Sequence, residues 1–443
     1  MSSPMQNLKT FVQRNVSKVK QLETSSTSFT GATFVIGNEA GDADSIISSL
    51  TYAFLKNFLS LDDEVQPKIA KLRMPVFPII SVRRDEAHLR RDVELLLAEV
   101  GLQLSDLICL DECHISRLAS DNKLDLILVD HNKLAGSVSA QFGEREHRDD
   151  MIKEILDHHE DGRFHLSASV REIAFDSEKM KPGVASTCTI VAEKFLEPQN
   201  IKALTSDIAT LLIAVITLDS LNMDPIQKRG TPRDKHALDS LQLMFPKIQR
   251  DRLYGMLTNA KTDPIFWESL SARDAVRIDR KDFSFKKVTD FGVTDVKGDG
   301  LYAISSVLQS ASSFLRKGDL DSVLQNAFYC KIPEASNDEE ALSCTSPADL
   351  LVIMGLELFP TVRRSLLLFS PSEKRLRNLS TYFAVNFGDM RLQTLATEPD
   401  YPACRSLDGG DVYMLAFDQG NAELSRKQIA PIIAKFYETS YNA

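Results

Sequence analysis

Apolar residues arrive in two rhythms along this chain. Short dense runs at Thr33 to Gly37 (TFVIG), Val76 to Val82, Leu124 to Val129 (LDLILV) and Ile152 to Leu156 read as strands buried on both faces. Between and after them, helical spacing predicts helices over Ser45 to Phe58, Glu86 to Val100, Ala185 to Leu196 and Asp207 to Leu218, with Asp44 or Ser45 placed to cap the first. Strands alternating with helices mean parallel strand–helix–strand units. The fold expected is therefore α/β, with an N-terminal doubly wound, mainly parallel sheet. From Asn222 to Arg233 the text turns polar around Pro225, Gly230 and Pro232, which marks a loop before a helix over Lys235 to Met244. Lys261 to Trp267 (KTDPIFW) is the candidate hinge, dividing a first domain over 1–262 from a smaller C-terminal α/β domain over 268–443. The acidic segment Glu334 to Glu340 reads as a solvated loop.

Composition narrows the function. The 443 residues include 52 Lys+Arg against 62 Asp+Glu, a formal charge of −10, which argues against holding nucleic acid on a general basic surface. A phosphate substrate bound through metal is unaffected by that charge. Six scattered cysteines do not make a disulfide framework, so all are read as reduced thiols in a cytoplasmic-type compartment. The uncharged run Ile208 to Leu218 is far shorter than the roughly 20 residues that span a bilayer, so it is read as a buried helix and no membrane partner is expected. Lys9, Arg14, Lys18 and Lys20, without an acid among them, accompany Leu8, Phe11, Val12 and Val16 at helical spacing. This reads as an amphipathic helix packed on the domain, in preference to a mitochondrial targeting segment that would add a mitochondrial pool.

Three of the strands run into acids and histidines. After TFVIG come Asn38, Asp42 and Asp44; after LDLILV come Asp130 and His131; after EIL come Asp157, His158, His159 and Asp161. In an open parallel sheet the ligand crevice lies outside the carboxyl ends of the strands, so these groups are expected to converge there. Carboxylates and imidazoles suit divalent cations, and a shared carboxylate holds two of them roughly 3.5–4 Å apart around a phosphoryl group. Asp219 ends the apolar helix, where a carboxylate is costly unless it is paired or on metal, and is taken as a further ligand. Taken singly, each has an ordinary alternative as a cap, a turn residue or a solvated helix end. Together they point to one centre. His131 stays outside the metal set, since a histidine beside a ligand often only hydrogen-bonds to it.

The segments GNEAGDADS, VDHN, DHH and LDS resemble the four motifs of the DHH phosphoesterase superfamily, in the branch of manganese-type inorganic pyrophosphatases, eukaryotic cytosolic exopolyphosphatases and prune-like proteins. PIISVRRDEAHLRRDVELLL, GVASTCT, TPRDKHALDSL, DRKDF and SRKQIAP extend the resemblance over nearly the whole chain, with fungal exopolyphosphatases nearest. It implies one ion on Asp42 and Asp130, and a second on Asp44, Asp130, His158 and Asp219, with Asp130 bridging and the active site in the cleft between the domains. His159 faces substrate in this scheme. Asn38 stands where the pyrophosphatases have a histidine ligand, which favours two Mg ions over Mn or Co. Lys281, Arg426 and Lys427 fall in segments resembling phosphate-binding motifs, and Arg90, Arg363 and Arg364 are further candidates for a basic channel. The expected function is a monomeric exopolyphosphatase releasing terminal orthophosphate from inorganic polyphosphate by two-metal hydrolysis. The rivals are a prune-like short-chain polyphosphatase or nucleotide phosphodiesterase, an inorganic pyrophosphatase, a DHH nuclease of oligonucleotides, and, from another class, a non-catalytic metal-binding regulator.

Overall fold

The computed structural model describes residues 7–24, 31–61, 74–113, 118, 123–134, 148–286, 299–329, 347–358, 361–395 and 402–440; the acidic segment 334–340, Cys330 and Cys344 lie outside them. The chain divides into two compact units, Met1–Lys261 and Thr262–Ala443.

In the first unit, β1 (Ala32–Ile36), β2 (Val76–Ile80), β3 (Ile108–Cys109), β4 (Leu124–Val129), β5 (Ile152–Asp157) and β6 (Val170–Ile173) form one sheet in the order β3-β2-β1-β4-β5-β6. Every pairing in it is parallel. Alternate residues serve opposite faces: Val35, Ile127, Val129 and Leu156 join one core, while Phe34, Ile36, Leu126, Leu128 and Ile155 join the other. The chain winds outward from β1 in one direction and from β4 in the other. The carboxyl ends of β1 and β4 are thus neighbours at the topological switch, where a doubly wound sheet places its ligand.

Helices α1 (Leu8–Thr24), α2 (Ala43–Leu61), α3 (Arg91–Glu99), α4 (Thr187–Leu196) and α5 (Ser206–Asp219) follow from the apolar spacing. Leu8, Phe11 and Val12 are at most 2% exposed, so α1 is part of the core. Along α5, Leu211 to Leu218 are all buried, which explains its all-round hydrophobicity. Each such Leu or Ile contributes roughly 1.5–3 kcal/mol by leaving water. Among the described residues no helix is long and apolar enough to cross a membrane.

Two expected helices differ in the structure. The pattern over 86–100 breaks into a 3-10 turn, Arg84–Leu89, and α3, separated by Arg90 at φ −95° and ψ 58°. Arg90 is 4% exposed, and its guanidinium donates to the carbonyls of Ala40 (Nε, 3.1 Å) and Gly41 (Nε, 2.8 Å). This arginine braces the turn after β1 from inside. The helix expected from Lys235 begins earlier, as α6 (Pro232–Met244), because Thr231 and Asp234 form a capping box with Pro232 at the first position. The segment 261–267 is helical on both sides of Asp263, which caps the helix Pro264–Ser269 by accepting from Ile265 N at 2.9 Å.

The second unit holds a mixed sheet, in contrast to the first. After a two-stranded ribbon in the first unit, β7 (Phe175–Asp176) and β8 (Lys181–Pro182), come β9 (Arg280–Lys286), β10 (Asp299–Val307), β11 (Leu350–Glu357), β12 (Arg363–Ser370), β13 (Leu392–Thr394), β14 (Cys404–Leu407) and β15 (Gly410–Gln419). The order is β13-β15-β12-β11-β10-β9 with β14 beside β15. Only β10 and β11 run parallel; the other pairings are antiparallel. Its core joins Ile304, Val352, Leu366 and Leu368 of the sheet to Leu379 and Phe383 from the helix Glu373–Asn386 and to Ile429 and Ile433 from the helix Arg426–Ser440.

Candidate metal centre

The loop after β1 is built for close approach. A Cβ on Gly37 would lie 2.6 Å from the Ser45 Cβ, and Gly41, at φ +54°, leaves no room for one beside Val82 Cγ1. This draws the start of α2 against the end of β1. The cap is Asp42, not Asp44 or Ser45: its Oδ1 accepts from Ser45 N at 3.0 Å, and its carbonyl from Ile46 N at 3.0 Å. Helix α2 so begins two residues earlier than expected. Asp44 is thereby placed in the first turn, its carboxylate turned to other partners.

Those partners come from the N-terminus of α4. Ser186 Oγ (2.6 Å) and Cys188 N (2.9 Å) donate to Asp44 Oδ1, and Thr187 N (2.7 Å) donates to Oδ2. The turn that presents these donors is itself gripped by Asp234, which is 0% exposed. Asp234 accepts from Ala185 N at 3.0 and 2.9 Å, from Thr189 Oγ1 at 2.6 Å and from Thr231 N at 2.7 Å. The two segments GVASTCT and TPRDKHALDSL therefore act together to hold Asp44.

Asp130 follows β4 directly and adopts φ +62°, a backbone state a non-glycine residue takes only when its surroundings impose it. Its N–H is fixed on Leu156 O at 2.9 Å. Oδ2 accepts from Ser45 Oγ and from Asn38 Nδ2, both at 2.7 Å. Oδ1 faces His158 Nε2 at 3.3 Å, Thr187 Oγ1 at 3.4 Å and His159 Nδ1 at 3.7 Å. His158 is turned by its Nδ1, 3.1 Å from Val184 O, and its Nε2 also lies 3.7 Å from Asp44 Oδ2.

The third strand end adds Asp157, expected in this crevice but outside the expected ligand set. Asp157 is fully buried and accepts from His158 N (2.7 Å), His159 N (3.1 Å), His159 Nδ1 (2.9 Å) and Asn132 Nδ2 (2.6 Å). Burial opposes its charge, but the His159 and Asn132 contacts outweigh it and hold its carboxyl far below the ordinary range. With Nδ1 committed to Asp157, His159 has Nε2 left for other chemistry. His131 is half-buried, and desolvation lowers its pKa against the pull of Val129 O, 2.9 Å from its Nδ1.

Crowded carboxylates raise one another. Burial, then Asp130, push Asp44 up to about 7, against the pull of His158. Burial, then Asp44 and Asp42, hold Asp219 well above the ordinary carboxyl range, although Lys261 and His158 oppose this. Asp219 Oδ2 is sealed from solvent and accepts no hydrogen bond. For His158, burial disfavours charge, yet Asp130 and Asp44 prevail and push it up to about 10. Acids so placed, one with an unsatisfied oxygen, fit divalent cations. Asp130, His158 and His159 each present a ligand atom within 4.8 Å of the others. Asp42, two residues before Asp44, is exposed at the head of α2.

The expected cations of the second unit have their own anchors. Arg426, first residue of its helix, pairs with Asp279 at 2.8 Å and donates to the Asp279 carbonyl, which ties the SRKQIAP and DRKDF segments together. Lys427 follows it in that helix, and Lys281 lies on β9 opposite Ile304. Arg364 donates to Ala422 O at 2.6 Å, and Arg363 pairs in register with Glu357.

The family described as "DHH family, N-terminal domain" matches residues 32–216, and the "DHHA2 domain" matches residues 255–436. Among curated proteins, "Exopolyphosphatase PRUNE1" of Rattus norvegicus is 26% identical over 404 residues, covering 90% of this chain and 74% of that one. A "Putative exopolyphosphatase" of Schizosaccharomyces pombe is 22% identical, covering 90% of this chain and 89% of its own. A "Manganese-dependent inorganic pyrophosphatase" of Methanothrix thermoacetophila is 26% identical, covering 58% of this chain and 67% of its own. Among solved structures, a putative family II inorganic pyrophosphatase of Methanococcus jannaschii superposes with a TM-score of 0.51 at 18% identity, covering 92% of this chain and 99% of its own. That likeness concerns the fold.

Proposed function

We infer, from the premise that this chain belongs to the DHH superfamily of phosphoesterases, that it is an exopolyphosphatase that removes the terminal phosphate of inorganic polyphosphate and releases orthophosphate. It is a hydrolase of phosphoanhydride bonds. The observation that carries the reading is the meeting of Asp44 and Asp130 on His158 Nε2, at 3.7 and 3.3 Å.

In this reading two divalent ions bind: Asp42 and Asp130 hold one, and Asp44, Asp130, His158 and Asp219 hold the other. When bound, they supply positive charge to the phosphoryl oxygens and acidify water. The chain's residues do the rest. Asp44 is kept in place by the α4 N-terminus, so its carboxylate needs no reorganisation when the ion arrives. His159, fixed through Nδ1 by Asp157, offers Nε2 to the substrate and gives a proton to the departing phosphate. Lys281, Arg426 and Lys427 neutralise phosphate oxygens as charge develops. The proposed setting is a cytoplasmic monomer.

Asp157→Asn is the test of the His159 role. An amide cannot hold the imidazolium, so kcat is expected to fall on the order of 10²-fold, the scale of losing general acid catalysis. The alkaline limb of the pH–rate profile, where a proton donor is lost, records proton delivery; a variant with the wild-type profile and kcat sinks the role.

A short-chain reading gains from one finding: Arg90 is buried on the Ala40 and Gly41 carbonyls, which removes a cation from the proposed channel. Phosphate release from long-chain polyphosphate, tripolyphosphate, pyrophosphate and a dinucleotide, each with Mg, separates the readings. Long-chain polyphosphate is expected to be the best substrate; preference for pyrophosphate overturns the assignment, and turnover of none supports the regulator.

A further inference from the structure

We propose that Asp234, which has no place in either proposed ion site, is a positioning residue that sets how firmly the centre holds its cation by acting on His158 and Asp44 at once. The proposal rests on the metal-centre reading above. It starts from the peptide that joins Val184 to Ala185. The carbonyl of that peptide lies 3.1 Å from His158 Nδ1. A carbonyl only accepts, so Nδ1 carries the proton and Nε2 is left facing Asp130 and Asp44. The N–H at the other end of the same peptide donates to both oxygens of Asp234, at 3.0 and 2.9 Å. A buried carboxylate on the N–H polarises the peptide and makes its carbonyl a stronger acceptor. Asp234 thus stands behind His158 through one amide, as a carboxylate directly behind an imidazole fixes the ring and strengthens it as a ligand.

The same carboxylate also fixes the first turn of α4. Ser186 is its N-cap, at φ −146° and ψ 143°, and a cap of this type ordinarily serves the turn with its own hydroxyl. Here Ser186 Oγ accepts from Cys188 N at the longer distance of 3.3 Å and turns its proton to Asp44 Oδ1 at 2.6 Å. Asp44 in turn accepts from Thr187 N and Cys188 N, donors that the start of a helix leaves without a partner of its own. Asp234 takes the positions on either side, Ala185 N and, at 2.6 Å, Thr189 Oγ1. It is itself held at the head of α6 by Thr231 N at 2.7 Å. Asp234 therefore decides where the turn sits, and the turn decides where Asp44 sits. Ser186, Thr187, Thr189 and Asp234 are all buried, so solvent is not at hand to replace a lost bond.

The test is a calorimetric titration of Mn into the metal-stripped full chain. Asp234→Asn keeps the shape of the side chain, but because Ala185 N lies on both oxygens, either orientation of the amide sets its NH2 against that N–H. The variant is expected to bind Mn roughly 10–100-fold more weakly than the wild type. At saturating Mn its KM for tripolyphosphate is expected to stay at the wild-type value, since the groups that meet phosphate are untouched. Thr189→Val removes one of the bonds to Asp234 and keeps the carboxylate, and should weaken Mn binding in the same direction by less. Circular dichroism and melting of the metal-free chains check the fold. A folded Asp234→Asn with wild-type Mn affinity overturns the proposal, whatever its melting temperature; where Asp234→Asn does not fold, wild-type Mn affinity in Thr189→Val does so. A wild type that binds no Mn instead overturns the metal-centre reading itself.

Discussion

Asp130→Asn is expected to reduce phosphate release from polyphosphate on the order of 10³-fold while leaving the fold in place. The fold survives because asparagine is the residue, after glycine, that best tolerates the φ of +62° found here. Its side-chain oxygen also still accepts from Ser45 Oγ and Asn38 Nδ2. Activity does not survive, because Asp130 is the carboxylate shared by both proposed ion sites and its replacement removes a charge from each. A second readout is independent of turnover. Asp130 and Asp44 together push His158 up to about 10, so an amide at 130 should bring the His158 imidazole down toward its ordinary value in an NMR titration of the metal-free chain. Circular dichroism and thermal melting check the fold. Turnover within a few-fold of wild type, in a folded variant, ends the shared-ligand assignment. Asp42→Asn, touching the exposed side alone, should cost less.

What was legible in the sequence follows from the range of the interactions concerned. LDLILV becomes a strand from Leu124 to Val129 because an uninterrupted apolar run needs cover on both faces, a requirement local to the run. Asp130, Asp157 and His158 were visible for a related reason: polar residues that break off such a run lie at its carboxyl end. Asp42 and Asp44 were harder, since either is a good cap, and the choice was made by Gly37 and Gly41 permitting an early start to α2. Long-range partners were not legible. Nothing around Arg90 announces that the carbonyls of Ala40 and Gly41 will stop a helix there. Thr231 and Asp234 form a capping box that starts α6 before the expected Lys235, and the same Asp234 also grips residues 185 to 189. In the second unit, the single parallel pairing of β10 with β11 depends on connections that alternation along a strand does not encode.

Asp219→Asn is expected to separate stability from activity. In the metal-free chain Asp219 sits among acids, with Oδ2 sealed and unpaired, and its charge is opposed first by burial and then by Asp44 and Asp42. Where Asp219 is ionised its charge is buried beside other acids, so the uncharged amide should raise the metal-free melting temperature at the alkaline end of the range. The pH dependence has a definite sign. A carboxyl whose folded pKa lies above its unfolded value binds a proton more firmly when folded, so stability falls as pH rises between the two values. For Asp44 that window runs from 3.8 to about 7, and for Asp219 it begins at the same lower value. His158 obeys the same rule in a higher window: raised from 6.5 to about 10, its contribution is full below 6.5 and is lost as pH climbs toward about 10. Chelation should therefore lower the melting temperature most above pH 7, where Asp44 is charged and the cations that would neutralise it are gone. Asp219→Asn should blunt this sensitivity to chelator and lose most of its activity, because the residue that burdens the empty centre is one that completes the filled one. Melting curves of wild type and variant, with Mg and with chelator, across that pH range decide the matter: equal sensitivity in both proteins means that Asp219 does not share in holding a cation.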